Sequence, residues 1–368
     1  MGSAESSLIS GCRRFLVRSK WWLIKRALQA SPKDSRAHLF FGDFSAKSLP
    51  TASRIWAARH GFKAYTAKLY KLDRHNVANF VSDLQRKAAR QITPEYNIIF
   101  DDKLVTKMVF CRVLRTPETL AYLDKGRVVD ELGFPLELAS VLDRIRAEGR
   151  VVLKPIVGAG GRGVTLLSAR GKQILADERA LEDPEQYLSQ CERSFISVFV
   201  VQHAYAAALY PGSVNTVRIV TMRDPESRQV FVSHALHRIG NARSAPTDNF
   251  SRGGLVVTLD HATGELLRAA ICDKATGTLE FIEKHPDTGA TIVGQCVPNW
   301  DEVLAAGKRA HSSFPQAELI AWDFALNEHA DPVMIEANAS TDVDLIQIHA
   351  PMLEEPRVRR FFEFHGVI

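Results

Sequence analysis

Ile320-Ala321-Trp322-Asp323-Phe324-Ala325-Leu326 and, a short step later, Val333-Met334-Ile335-Glu336-Ala337-Asn338 each wrap apolar residues around one or two polar side chains. Both read as strands, and Asn327 to Asp331, followed by Pro332, has the length of a hairpin loop. Side chains two apart in a strand share a face, so Glu336 and Asn338 project together. A turn centred near His329 and Ala330 sets Asp323 across from Glu336. Two carboxylates and an amide oxygen then converge at a cross-strand spacing of roughly 5 Å. That all-oxygen set suits a hard cation such as Mg²⁺. A solvated hairpin face would carry the same residues, so this stretch alone leaves both readings open.

The chain of 368 residues is long enough for two or three packed layers. Hydrophobic residues make up 46% and charged residues 24%, which excludes a disordered or fibrous chain. No apolar run approaches a membrane span, and no secretory leader pattern opens the sequence, so a cytoplasmic location is expected. The five cysteines are scattered, without the paired spacing of a zinc site and odd in number for a disulfide framework. Net charge is +5. Residues 1–36 carry eight Lys or Arg against Glu5 and Asp34, so the basic excess sits at one end. Over residues 8–36 those charges alternate with apolar residues such as Phe15, Trp21, Trp22 and Ile24. This stretch suits either peripheral contact with an anionic membrane or packing on the protein's own body. No basic array of the kind that binds nucleic acid appears elsewhere.

Residues 1–95 read as a largely helical, basic region, with helical stretches over 53–71 and 76–90. A helix capped by an acid starts at Asp101-Asp102-Lys103, and another is expected over 135–148, ended by Gly149. Strands are expected at 151–154, 164–168, 196–202, 213–222, 229–237, 254–259 and 266–272, and a helix over 301–313. Strand runs mixed with a few helices predict an α+β fold rather than a doubly wound parallel sheet.

Three further stretches carry chemistry. Gly158, Gly160, Gly161 and Gly163 follow a strand that ends near Lys154, and they free the backbone to turn several N–H groups toward one anion. The strand-like residues from Val164 exclude the dinucleotide fingerprint, which needs a helix there, and no Lys-Ser or Lys-Thr closes a Walker A loop. A glycine-tipped hairpin over a nucleotide remains. Arg218 lies inside a β-branched run, where it must meet a carboxylate of this chain or an anionic substrate. Asn249 and Arg252 stand in a polar loop ending at Gly253-Gly254, within reach of a reacting phosphate.

In order, Asp102-Lys103, Leu153-Lys154-Pro155 with the glycine loop, Val200-Val201-Gln202, Asp323 and Glu336-x-Asn338 resemble the ATP-grasp superfamily. Ser213-Val214-Asn215-Thr216-Val217-Arg218-Ile219-Val220-Thr221 together with Asp248-Asn249-Phe250-Ser251-x-Gly253-Gly254 is similar to its sugar-transfer-associated branch. The resemblance covers about residues 95–350. It implies an ATP-grasp domain over 96–368, two α+β lobes clamping ATP: a glycine-rich lid lobe at about 150–205 and a metal-binding lobe at about 206–350. By the same resemblance Lys103 and Lys154 hold phosphates, Gly158, Gly160, Gly161 and Gly163 cover them, and Gln202, Val201 and His203 meet the adenine edge. Asp323, Glu336 and Asn338 would bind Mg²⁺, two ions bridged by Glu336, with Mn²⁺ as a substitute. After Asn338 the chain departs from the family pattern, and Ser340 to Asp342 would cap a helix over 343–349 whose N-terminus faces an anion.

The implied reaction is an ADP-forming ligation of a carboxylate to an amine through an acylphosphate, in cell-surface glycan or natural-product biosynthesis. Arg218, Arg252 and Asn249 are the expected oxyanion supports. The same residues would also serve a small-molecule kinase, or a nucleotide-binding scaffold of a membrane-associated assembly.

Overall fold

The structure, a computed structural model, describes residues 39, 49–158, 160–273, 278–339 and 341–368. The basic stretch 8–36, Ala159 and Ser340 lie outside them. In place of two long helices, residues 51–90 form three short ones, Thr51–Arg59, Ala64–Leu69 and Asp83–Ala89. The first break is at Gly61, which has φ +84° and would drive a Cβ to 2.8 Å from the Ser82 hydroxyl. Ser82 itself accepts from the Gln85 N–H while the Gln85 side chain returns to the Ser82 N–H, a reciprocal cap that starts the third helix. Asp102 caps Lys103–Phe110 as expected, its carboxylate accepting from the N–H groups of Leu104 and Val105.

Two seven-stranded sheets follow, antiparallel at every paired edge. The first contains β1 (Thr119–Asp124), β2 (Arg127–Val129), β3 (Arg150–Pro155), β4 (Thr165–Arg170), β5 (Gln173–Ala176), β6 (Arg179–Ala180) and β7 (Ser194–Val198), in the order β2-β1-β7-β3-β4-β5-β6. Val141, Leu142 and Ile145 of the helix Leu138–Glu148 pack on it against Leu123, Val151 and Ile196. The second contains β8 (Thr216–Arg223), β9 (Val230–Ile239), β10 (Leu255–Leu259), β11 (Leu266–Asp273), β12 (Thr278–Ile282), β13 (Leu319–Leu326) and β14 (Pro332–Asn338), in the order β12-β11-β10-β9-β8-β13-β14. Seven antiparallel strands in each sheet, with helices set apart from them, make the fold α+β.

The second sheet is covered on both faces. The helix Trp300–Ser313 lies on one, burying Val303, Ala306 and Ala310 against Ile219, Ile320 and Trp322. The short N-terminal helices and the C-terminal helix Pro356–Phe364 lie on the other, where Phe62, Phe80, Phe361 and Phe362 meet Val220, Met222 and Ala321. Every residue of β8 and β13 is consequently buried. Polar side chains in these strands must find partners inside the protein.

The helix expected over 343–349 is a single turn, Asp344–Gln347. It does not present its N-terminus to a cleft. Leu345 and Ile346 join the core beside Phe62 and Phe80, Gln347 closes two hydrogen bonds with the Val81 backbone, and Asp344 accepts from the Tyr70 hydroxyl. Contact with the helical layer decides its orientation. Among the described residues, no helix is long and apolar enough to cross a membrane.

Trp322 is fully buried, edge-on to Phe110 with centroids 4.9 Å apart, and donates from Nε1 to the Thr221 hydroxyl at 2.9 Å. Trp322→Ala should lower unfolding free energy by about 3–5 kcal/mol, measured by chemical denaturation.

Candidate functional site

Between the two sheets lies a cleft of about 260 Å³. One end is largely apolar, walled by Val152 and Leu166 of the first sheet and by Val198, Phe199 and Val200 as the chain leaves it, with Ile335 also lining it and the Arg150 guanidinium 4.5 Å from the Phe199 ring centroid. The other end is charged. Lys103, Lys154, Arg162, Arg238, Asp323 and Glu336 reach it, together with Asn249.

The lysines come from different elements. Lys103 opens its helix, and its Nζ donates to the Gly158 carbonyl at 2.8 Å, so it steadies the hairpin tip as well as facing the cleft. Lys154 ends the β3 run, with Nζ 5.0 Å from the centroid of Phe195. Burial, and then the charge of Lys103, lower its pKa to about 8. Of the four glycines at the β3–β4 tip, Gly158, Gly160 and Gly161 line the cleft and Gly163 stands behind. The tip rests on the second sheet's 240–254 loop. Gly161, at φ +68°, would place a Cβ 2.6 Å from Thr247 Cγ2, so only glycine fits.

On the floor, Asp323 and Glu336 are register partners. A bulge produces this pairing: Phe324 opposes Met334, and the extra residue Ile335 carries Glu336 across from Asp323. Asp323 does not stand free. Its Oδ1 accepts from Arg218 Nε at 2.7 Å, and its Oδ2 from Arg218 Nη2 at 2.6 Å and Arg238 Nη1 at 2.8 Å. Arg238 continues to Asp248 at 2.7 Å, and Asp248 also accepts from the Thr216 N–H and hydroxyl. Burial opposes ionisation of Asp323, but the two guanidiniums overcome it and hold its pKa low. Glu336 moves the other way. Burial, then the adjacent Asp323 charge and a hydrogen bond to it, raise its pKa.

That state is suited to a divalent cation. A dication would offset the negative charge that opposes ionisation of Glu336, and an oxygen-only donor set matches Mg²⁺. Asn338, two residues along the same face, has a buried Nδ2 with no partner, leaving its amide free to turn an oxygen to a metal. Asp323 has little left to offer, since three of its lone pairs are taken. Among the described residues, no group of three His, Cys, Asp or Glu side chains is arranged as a metal cage. Glu336 and Asn338 would therefore lead in holding a cation whose remaining ligands come from a bound phosphate.

Several expected residues lie elsewhere. Gln202, Val201 and His203 are not on the cleft wall. The β7 strand ends at Val198 rather than Gln202, and the Gln202 amide braces the next turn, donating to the carbonyls of Tyr210 and Ser213 and accepting from the Asn215 N–H. Val201 faces solvent, and His203 caps the helix Ala204–Leu209 through its ring nitrogen. The residues at that wall are Val198, Phe199 and Val200. Arg218 points at Asp323 rather than into the cleft. Arg252 lies outside the wall, donating from Nη1 to the Gly161 carbonyl at 3.2 Å. Arg238 went unnoticed in the sequence, although it shows the signal that marked Arg218, an arginine inside an apolar strand.

The family described as sugar-transfer associated ATP-grasp matches residues 85–359. No curated protein matches. Among solved structures, the chain is similar to a biotin carboxylase from Campylobacter jejuni (11% identity, 73% of this chain and 47% of that one, TM-score 0.41). It is also similar to an N5-carboxyaminoimidazole ribonucleotide synthetase from Thermotoga maritima (11%, 69% and 49%, 0.35). A D-alanine–D-alanine ligase from Bacillus anthracis, complexed with ATP, shows comparable likeness (10%, 73% and 68%, 0.37). The chain spans about half the length of the first two.

Arg218→Met should cost about 3–5 kcal/mol in urea unfolding, because it leaves the buried Asp323 with one cation instead of two. Arg218→Met with Asp323→Leu should not recover that loss, since Arg238 then loses an acid; adding Arg238→Met and Asp248→Leu should recover most of it.

Proposed function

The chain belongs to the sugar-transfer associated ATP-grasp family, and from that premise we propose that it is an ADP-forming ligase joining a carboxylate to an amine through an acylphosphate. The observation that carries this reading is the two-ended cleft, apolar at one end and closed at the other by lysines, a glycine tip and two facing carboxyls. The apolar walls of Val152, Leu166 and Ile335 suit a purine. Lys154 and Lys103 place positive charge where the phosphates would lie, and the N–H groups around Gly160 and Gly161 cover them. Mg²⁺ on Glu336 and Asn338, when bound, neutralises the charge that develops on the transferred phosphoryl group.

In the first step a substrate carboxylate oxygen bonds to the γ-phosphorus, and the bond from that phosphorus to the β-bridging oxygen breaks, releasing ADP. In the second, an amine nitrogen bonds to the acyl carbon; the carbon–oxygen bond to phosphate breaks, and inorganic phosphate and a proton leave. Arg238 is the buried guanidinium at the charged end of the cleft, held by Asp248 and Asp323, and it steadies the oxyanions of both steps.

A specific observation favours ligation over phosphorylation of a hydroxyl. A hydroxyl needs a base to take its proton. Asp248 and Asp323 are both committed to Arg238, and Glu336 is the proposed cation ligand. A carboxylate needs no base. The family's link with sugar transfer brings acids and amines carried on sugars within the proposed substrates.

Incubation with ATP, Mg²⁺ and pooled acids and amines should yield ADP and an amide of new mass, and Glu336→Ala should remove both; turnover above about a tenth of the parent rate would sink the metal assignment. Nucleotide affinity should also depend on pH. Lys154 is already charged below about pH 8. Above that, phosphate binding must restore its proton, so Kd for ADP, followed by calorimetry, should weaken by up to about tenfold per pH unit. Lys154→Met should flatten the slope.

A further inference from the structure

Beyond the cleft wall, three arginines gather where the lid tip meets the second sheet. Arg162 follows Gly161 at the tip and lines the cleft. Arg252 reaches the same tip through the Gly161 carbonyl, and Arg243 packs its side chain against Gly253, one residue from Arg252. All three are exposed, and among the described residues none lies within ion-pair distance of a carboxylate. Asp248 is spent on Arg238 and Thr216, while Asp287 accepts from the Ala242 N–H without pairing with any of them.

The loop that carries two of them is rigid. The Asn241 N–H donates to the Ser244 hydroxyl at 2.9 Å, the Arg252 and Gly254 N–H groups both donate to the Asn249 carbonyl, and the His285 ring bonds the Gly240 carbonyl at 2.8 Å. Cations gathered at one tip with no acid paired to them suit an anion of the substrate. They are not needed for the nucleotide, whose phosphates have Lys103, Lys154 and the glycine tip.

Between this rim and the charged end of the cleft stands Asn249. It lines the wall, and its Oδ1 is buried with no donor. A buried amide oxygen without a partner costs about 1–3 kcal/mol and calls for an N–H or O–H.

We propose that this rim is the acceptor subsite and that the acceptor is an amino-carboxylate, an amino acid or an amino-sugar acid, whose nitrogen donates to Asn249 Oδ1 while its carboxylate lies on Arg252, Arg162 and Arg243. This deepens the ligase reading and rests on it. Asn249 then sets the attacking nitrogen beside the acylphosphate, and the arginines discriminate by charge. Arg252 acts on the acceptor, not on the transferred phosphoryl group.

The test is calorimetric. The full chain, saturated with ADP and Mg²⁺, is titrated with the twenty common α-amino acids and with 2-amino-2-deoxy sugar acids, and in parallel with their neutral primary amides. At least one free acid should bind, and its amide should bind about tenfold more weakly or not at all, equivalent to about 1.4 kcal/mol. Arg243→Ala should weaken that acid about tenfold while leaving ADP affinity within about twofold, and Arg268→Ala, at an exposed arginine away from the cleft, should change neither. Equal binding of acids and amides would overturn the subsite, as would no binding of any acid to a protein that binds ADP. So would an Arg243→Ala variant that loses ADP and acid affinity together. Failure of the parent protein to bind ADP at all would overturn the ligase reading beneath it.

Discussion

Four charges with little access to water, Arg218, Asp323, Arg238 and Asp248, form one hydrogen-bonded chain across β8, β13, β9 and the loop before β10. Burying each alone would cost several kcal/mol, and their mutual attraction offsets this only while every oxygen and nitrogen in the chain stays matched. Asp323 meets this condition with three donors and Asp248 with three. The network also holds the sheet in register. A one-residue slip of β13 against β8 would turn Asp323 to the opposite face, among Trp322, Val303 and Ala306, where no cation waits.

What the network supports is Glu336. With Asp323 held ionised by two arginines, burial and that negative charge make the neighbouring glutamate the harder of the two to ionise. The bulge at Ile335 makes that neighbourhood. The opposite jaw is built on a different principle: backbone flexibility at a tip tethered from both sides, by Lys103 at Gly158 and by Arg252 at Gly161. A hydrogen-bonded floor and a glycine tip thus face each other across one cleft.

Much of this was visible in the residues. The hairpin at 320–338 has a period-two pattern, a short turn and lone acids, so its strands and the facing of Asp323 and Glu336 follow from local rules. Glycine density announced the tip, and Asp102 announced a helix start. The failures have one cause. Whether Gln202 reads a base or braces a turn, and whether Arg218 meets a substrate or an aspartate 105 residues further along the chain, depends on which polar group lies within about 3 Å. The short helix Asp344–Gln347 was turned to the helical layer by Tyr70 and Val81, residues more than two hundred and fifty positions earlier.

Sequence by itself determined the α+β class, the family, the longer strands other than β1, β2, β5, β6 and β12, and the facing carboxyls at 323 and 336. These depend on side-chain alternation, turn chemistry and motif spacing, which act between near neighbours. Only the tertiary structure decided that Asp323 belongs first to two arginines, that Arg238 rather than Arg218 faces the cleft, and that arginines from the β3–β4 tip and the 240–254 loop come to one place. Each of those outcomes is an electrostatic match between residues far apart in the chain. The strength of such a match depends on distance and on exclusion of water, quantities that exist only once both sheets have folded.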